Sequence, residues 1–204
     1  MSVTSRDSTA SAADGGTSQS PEQFGEMLKS RRTVNFFQPQ PVPRQLLREA
    51  IEVARWAPNH KLTEPWHFYL PGDETLEQMR QLIVELKAGD RDENARQAAR
   101  ARLDAVPTWF VVTSRLTPDR LVRQQEDYAA CACAMQNLML YLWQAGIGVK
   151  WTSGQVTRDE RLYRILGIDD TREVIIGVFW CGYPADNPVA QKRRRIDEIC
   201  TELP

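Results

Sequence analysis

YAACACAMQNLMLYLWQAGIGVKWTSG, residues 128–154, is the stretch whose reading decides the fold. Its first sixteen residues, 128–143, carry two strongly polar side chains, Gln136 and Asn137. A helix of that composition leaves no face for water and is expected to be buried on all sides. The run is shorter than the ~20 apolar residues that span a bilayer. Gly146 and Gly148 close it before the β-like GVKWT, so a membrane span is not expected. In a chain of 204 residues such a helix needs cover from more than one layer, and a second subunit is the simplest source.

The length leaves room for one domain with a substantial core. Hydrophobic residues at 42% and charged residues at 26% match a globular domain rather than a fibrous or disordered chain. A formal net charge of -1 gives no electrostatic case for nucleic acid or an anionic membrane as principal partner. Cys131, Cys133, Cys181 and Cys200 form no CxxC pair, and His60 and His67 are the only histidines, so neither a zinc site nor a disulfide framework is supported. No basic segment followed by an apolar one marks a secretory signal, and the cytoplasm is the expected compartment.

Residues 1–20 hold six serines, three threonines and two glycines, and read as a disordered tail before a domain covering 21–204. Ser20, Pro21 and Gln23 form a helix-start signal. The helix delivers Arg31, Arg32 and Thr33 into an extended segment that Pro39, Pro41 and Pro43 keep from being helical. Leu46, Leu47, Ala50, Ile51 and Ala54 recur at helical spacing until Pro58. Residues 65–70 predict a strand and 57–61 a loop before it. Residues 75–105 are helical and rich in Arg, Asp, Glu and Gln, with little apolar surface beyond Leu86, and read as a solvated cover or lid. Buried strands are expected at 108–113 and 173–183, and a capping box at residues 157–160 opens a helix that Gly167 closes. Strands and helices alternate, with crossovers long enough for a mixed sheet flanked by helices in an α+β fold. No GxGxxG or GxxxxGK[ST] loop follows a strand, so the usual phosphate cradles are missing.

Arginines at a helix end with a hydroxyl beside them can bind a phosphate group, since guanidinium forks match its oxygens. By itself the triplet reads more readily as a solvated complement to the helix dipole. The basic run at residues 192–195 carries the same ambiguity. Trp66, Trp109, Trp143 and Trp180 lie in apolar runs and are expected in the core, His67 is expected to be structural, and Cys131 and Cys133 inert. His60, in a loop beside Asn59 and Lys61, is a better ligand contact than a packing residue.

The segment APNHKLTEPW, residues 57–66, resembles the loop-to-strand signature of nitroreductase-like flavoproteins, where an APxxxxxxPW segment follows an RRS/T triplet by one helix. The third element of that signature, a long apolar helix ending in small residues and a WxSG-like loop, matches residues 128–154. The three occur in order between about residues 21 and 195, and the match is closest to short, minimal members. Glu64 stands where many relatives have Gln before the Pro-Trp pair.

The resemblance implies an intertwined homodimer that binds two FMN molecules at its subunit interface. Arg31, Arg32 and Thr33 would hold the phosphate and ribityl chain, with Lys192 or Arg194 helping. Trp56 and His60 would reach the flavin from the other subunit. Trp151, Thr152 and Ser153 would lie beside the isoalloxazine ring and offer backbone N–H groups. NAD(P)H would reduce the flavin, which would pass the electrons to a nitroaromatic, quinone or similar small acceptor by a ping-pong route, with no side chain as nucleophile. The same fold also serves dedicated reactions such as dehalogenation, heterocycle oxidation or flavin fragmentation, and a flavin-binding module without turnover is a further alternative.

Overall fold

The computed structural model describes residues 20–89 and 92–204. The tail expected over residues 1–20 therefore lies outside the described residues, apart from Ser20. The chain divides into two compact units, residues 1–30 and 31–204. In the first, α1 (Pro21–Ser30) begins as its sequence predicts. The Ser20 hydroxyl accepts from the Gln23 N–H at 3.3 Å, and the Gln23 side chain accepts from the Ser20 N–H at 3.0 Å.

The second unit holds α2 (Arg44–Ala54), β1 (Trp66–Tyr69), α3 (Asp73–Ala88), α4 (Glu93–Asp104), β2 (Thr108–Arg115), α5 (Leu121–Gln144), β3 (Gly148–Thr152), α6 (Glu160–Leu166) and β4 (Glu173–Gly182). The four strands form one sheet in the order β1-β2-β4-β3, every neighbouring pair antiparallel. The sheet is antiparallel throughout its strands, and the parallel pairing is an isolated bridge outside them, Thr33 with Val149, beside β3.

Both faces of the sheet are buried, which is why 108–113 reads as a continuous apolar run rather than an alternating one. Phe110 and Val112 point into a core shared with α2 and α5, where Leu47, Ala50, Ala134, Met135 and Leu138 meet Phe179. Trp109 and Val111 point to the opposite side, into a core with Met79, Leu82, Ile83, Leu103 and Leu162 from α3, α4 and α6. The period of two along β2 thus divides one strand between two hydrophobic layers.

The 75–105 segment is two helices rather than one, broken where Gly89 turns to φ 52°. Its inner stripe is firmly seated, since Met79, Leu82, Ile83, Ala88 and Leu103 are buried. Arg100 ties the pair together, reaching both Glu77 oxygens at 2.7 and 2.8 Å. The capping signal before α6 also sits elsewhere than predicted. Residues 155–158 form a 3-10 turn, and Asp159 caps the helix by accepting from the Arg161 N–H at 3.0 Å. Thr157 instead donates to the Gly154 carbonyl. A carboxylate that also pairs with the Arg161 side chain holds this end more strongly than a threonine hydroxyl.

One face of α5 differs from its sequence reading. Ala130, Cys131, Ala134, Met135, Leu138 and Leu142 are buried, but Leu121 and Val122 are each 71% exposed and Tyr128 is 51% exposed. Cys133 is exposed as well. A single chain covers one side of this helix and leaves the other apolar side open.

Candidate active site

The helix end of α5 fixes the start of the candidate site. Gly146 takes φ 77°, and the Ile147 N–H reaches back to the Leu142 carbonyl at 2.8 Å, a left-handed close that turns the chain directly into β3. Gly148 is required at the next step because a Cβ there would run into the Val34 side chain. That close approach lets the Val34 N–H bond the Val149 carbonyl at 3.4 Å and brings the Arg31-Arg32-Thr33 segment to the edge of the sheet.

Arg31 is part-buried, and burial, followed by the positive charges of Arg32 and Arg193, pulls its pKa below the usual guanidinium value. Like charges held together in this way are relieved by a bound anion. Of the C-terminal basic run, Arg193 is the residue whose positive charge reaches Arg31, beside the expected contacts Lys192 and Arg194. Those two are exposed in the same extended segment. Arg193 is exposed as well.

Trp151 and Thr152 belong to β3 rather than to a loop, and their side chains are committed to the sheet. The Trp151 indole donates to the Ile176 carbonyl at 2.9 Å and the Thr152 hydroxyl to the Val178 carbonyl at 2.6 Å. Their backbone is a different matter. Residues on an antiparallel strand alternate the edge to which N–H and C=O point. The Val149 carbonyl points away from β4, to Val34, so Trp151 two residues on turns its own N–H and C=O to the same open edge. Ser153 follows, exposed, lining a cavity of about 510 Å³ with Tyr128, Arg158 and Glu160. Guanidinium groups and open backbone donors thus lie along one sheet edge, joined by the Thr33–Val149 bridge.

Trp56 and His60 stand apart from this edge. Trp56 is 76% exposed at the end of α2, with its indole near Glu52 at 3.4 Å. His60 Nδ1 lies 3.2 Å from Glu126 of α5. The loop that carries His60 is locked: the Thr63 hydroxyl donates to the buried Asp127 at 2.7 Å, and the Glu64 N–H donates to the Asn59 side chain at 3.0 Å. Lys61, Leu62 and Glu64 all take positive φ, at 58°, 49° and 42°, a conformation that non-glycine residues hold only under such restraint.

A second polar group escaped the sequence reading. Glu173 accepts from the Tyr69 hydroxyl at 3.0 Å and from the Thr113 hydroxyl, while His67 stacks on Tyr69 at 4.5 Å and faces Glu173 at 3.7 Å. Its members come from three strands, so no local spacing announces it. His67, expected to be structural, is largely exposed at this margin. Of the four tryptophans assigned to the core, Trp109 and Trp180 are buried, and Trp66 and Trp143 are partly so. Burial pushes the Cys131 thiol up to about 11. Among the described residues, no cluster of three or more His, Cys, Asp or Glu could hold a metal, and no helix is long and apolar enough to cross a membrane.

An antiparallel sheet between two helical layers, with a cationic segment and open backbone donors along one edge, defines an α+β protein. The sequence profile of the nitroreductase family matches residues 28–183, and the chain belongs to that family. It is 31% identical to YfhC of Bacillus subtilis, provisionally named an NAD(P)H nitroreductase, over 87% of this chain and 93% of that one. The crystal structure of a nitroreductase-like family protein from Bacillus cereus superposes with a TM-score of 0.80 at 28% identity, covering 94% of this chain and 99% of the other. A Desulfovibrio desulfuricans protein solved in complex with FMN shares the fold, with a TM-score of 0.70 at 19% identity over 92% and 99% of the two chains.

Proposed function

We propose that the protein is an NAD(P)H-dependent FMN oxidoreductase working as a homodimer. The observation that carries this reading is the sheet edge where Arg31, Arg32 and Arg193 converge beside β3, whose Trp151 backbone N–H and C=O face outward. This donor set fits FMN. The guanidinium groups suit a phosphate dianion, Thr33 adds a hydroxyl, and the open backbone at Trp151 and Ser153 suits the polar rim of a planar heterocycle. The FMN bound by the D. desulfuricans neighbour and the names of the relatives support the same choice.

When bound, FMN supplies the redox chemistry, accepting a hydride from reduced nicotinamide and releasing electrons to a second substrate. The chain's own part is to hold and orient. Arg31, Arg32 and Thr33 fix one end, aided by Arg193 and by Lys192 or Arg194. Trp151, Thr152 and Ser153 line the other end. Reductant and acceptor use one face in turn, so a ping-pong scheme follows, with a nitroaromatic or quinone as acceptor.

The dimer completes the site. Trp56 and His60 have side-chain partners in Glu52, Arg55 and Glu126. Their exposure, with the open face of α5, suits a role at the partner's flavin. The test is the absorbance spectrum of the purified protein, identification of the released cofactor, and steady-state kinetics. FMN, with parallel double-reciprocal lines for NAD(P)H and a nitroaromatic or quinone, upholds the reading. Colourless protein that gains no flavin on incubation with FMN would overturn it.

A further inference from the structure

On the sheet face opposite α5, a second group of cations gathers around one indole. The Lys150 ammonium lies 5.1 Å from the centre of the Trp180 ring and that of Lys87 lies 5.2 Å from it. Lys150 comes from β3, directly across from Trp180 on β4, and Lys87 from the last turn of α3. Arg102 of α4 is the third member, close enough to perturb both lysines. Burial and this mutual repulsion lower the pKa of Lys87 and of Lys150, burial being the larger cause in each.

Cation–π attraction accounts for a cation over a ring, but not for collecting three positive charges without a counter-charge. Among the described residues no carboxylate forms an ion pair or hydrogen bond with Lys87, Arg102 or Lys150; Lys150 donates at 2.8 Å to Asn35, a neutral acceptor. The indole adds an independent sign. Trp180 is 4% exposed, and its Nε1 donor is buried with no hydrogen-bond partner among the described residues, a costly state for an N–H group. A cavity of about 350 Å³ shares Asn35 and Arg102 with this cluster. The region therefore gathers charged donors and an unanswered indole N–H, with the cavity beside it at Arg102, which is the complement of an oxyanion.

The geometry points to a second anion site, distinct from the Arg31 segment, in which Lys87, Arg102, Lys150 and the Trp180 indole N–H bind a phosphate group. It stands whether or not flavin binds beside the Arg31 segment. The phosphate could arrive as the free ion or on a dinucleotide, and the two share the same recognition chemistry.

The test uses the purified protein with whatever cofactor it retains and inorganic phosphate as the probe. Titration calorimetry and thermal shift are run against chloride at matched ionic strength, so that general screening cancels. Wild type should bind phosphate, and the Lys87→Gln/Lys150→Gln double variant should bind it roughly tenfold to a hundredfold more weakly. Arg102→Gln, an exposed change that spares the core, should show a smaller loss in the same direction. Arg32→Ala should retain the binding. Phosphate binding unchanged in both the double variant and Arg102→Gln, or abolished by Arg32→Ala alone, would overturn the assignment, as would no binding by wild type. Competition then separates the sources. Displacement of phosphate by NADP+ but not by NAD+ identifies a 2′-phosphate on the dinucleotide, and displacement by neither identifies the free ion.

Discussion

Arg32 and Tyr69 show how differently single residues act on the two ends of this protein. Arg32→Ala should weaken FMN binding by roughly 1.5–3 kcal/mol, about tenfold to a hundredfold, because a charge-assisted contact to phosphate is lost. Arg32→Lys should restore part of it, since an ammonium cannot reproduce the bidentate fork. Equilibrium titration of stripped protein with FMN measures both, and an alanine variant that binds as wild type would remove Arg32 from the site. Tyr69 acts on stability instead. Burial, then the hydrogen bond to Glu173 and its negative charge, raises the Tyr69 pKa from 10.0 to about 12. The neutral phenol is thus the form the fold favours. Its contribution is complete below pH 10 and is lost as the pH rises through about 12. Tyr69→Phe should cost about 0.5–1 kcal/mol at neutral pH, the lower part of the range because the site is partly exposed. Denaturant melts at pH 8 and above pH 10 should show the difference from wild type shrinking with pH.

At the scale of elements, the approach of the Arg31-Arg32-Thr33 segment to β3 depends on one missing side chain. Gly148→Ala would press a methyl group into Val34, an overpacking that costs about 1–3 kcal/mol. Because the strain falls on the bridge that holds the Arg31-Arg32-Thr33 segment, which we propose binds the cofactor, FMN affinity should fall together with the melting temperature. A stability loss with unchanged affinity would show that the segment is anchored elsewhere. The 59–64 loop is the second element under restraint. Lys61 is exposed and left-handed at φ 58°, a conformation that asparagine tolerates better than lysine. Lys61→Asn should stabilise the fold by about 0.5–1 kcal/mol, read from denaturant midpoints. Destabilisation would show that the Lys61 side chain holds the loop.

For the whole molecule, the open face of α5 and the exposed Trp56 and His60 make a joint prediction. Light scattering should find a dimer at micromolar concentration, since so much apolar surface on one helix is uncommon in a soluble monomer. If His60 and Arg32 from different chains build one site, mixing His60→Ala with Arg32→Ala should restore activity under conditions where each parent is inactive. Half of the sites in a mixed dimer carry both lesions and half carry neither. Verified subunit exchange without recovery would place the two residues at one site within one chain.

Much of this protein was legible in its sequence because the signals are local. Proline and glycine placement, the period of apolar residues and the three ordered motifs fixed the main helices, the strands and the family, since each depends on residues within a turn or two of one another. The α5 helix was legible as apolar all round, yet which of its sides the chain itself covers was not, because that depends on α2 and the sheet packing from one direction only. Tertiary structure alone decided that Trp151 commits its side chain to Ile176 and its backbone to the open edge, and that Asp159 rather than Thr157 caps α6. It also decided that Lys87, Arg102 and Lys150, from three elements, meet at Trp180. Such charges converge only after the two cores have closed on either face of the sheet. Hydrophobic burial is written into the period of each segment, whereas the meeting of distant polar groups is a product of how those segments stack.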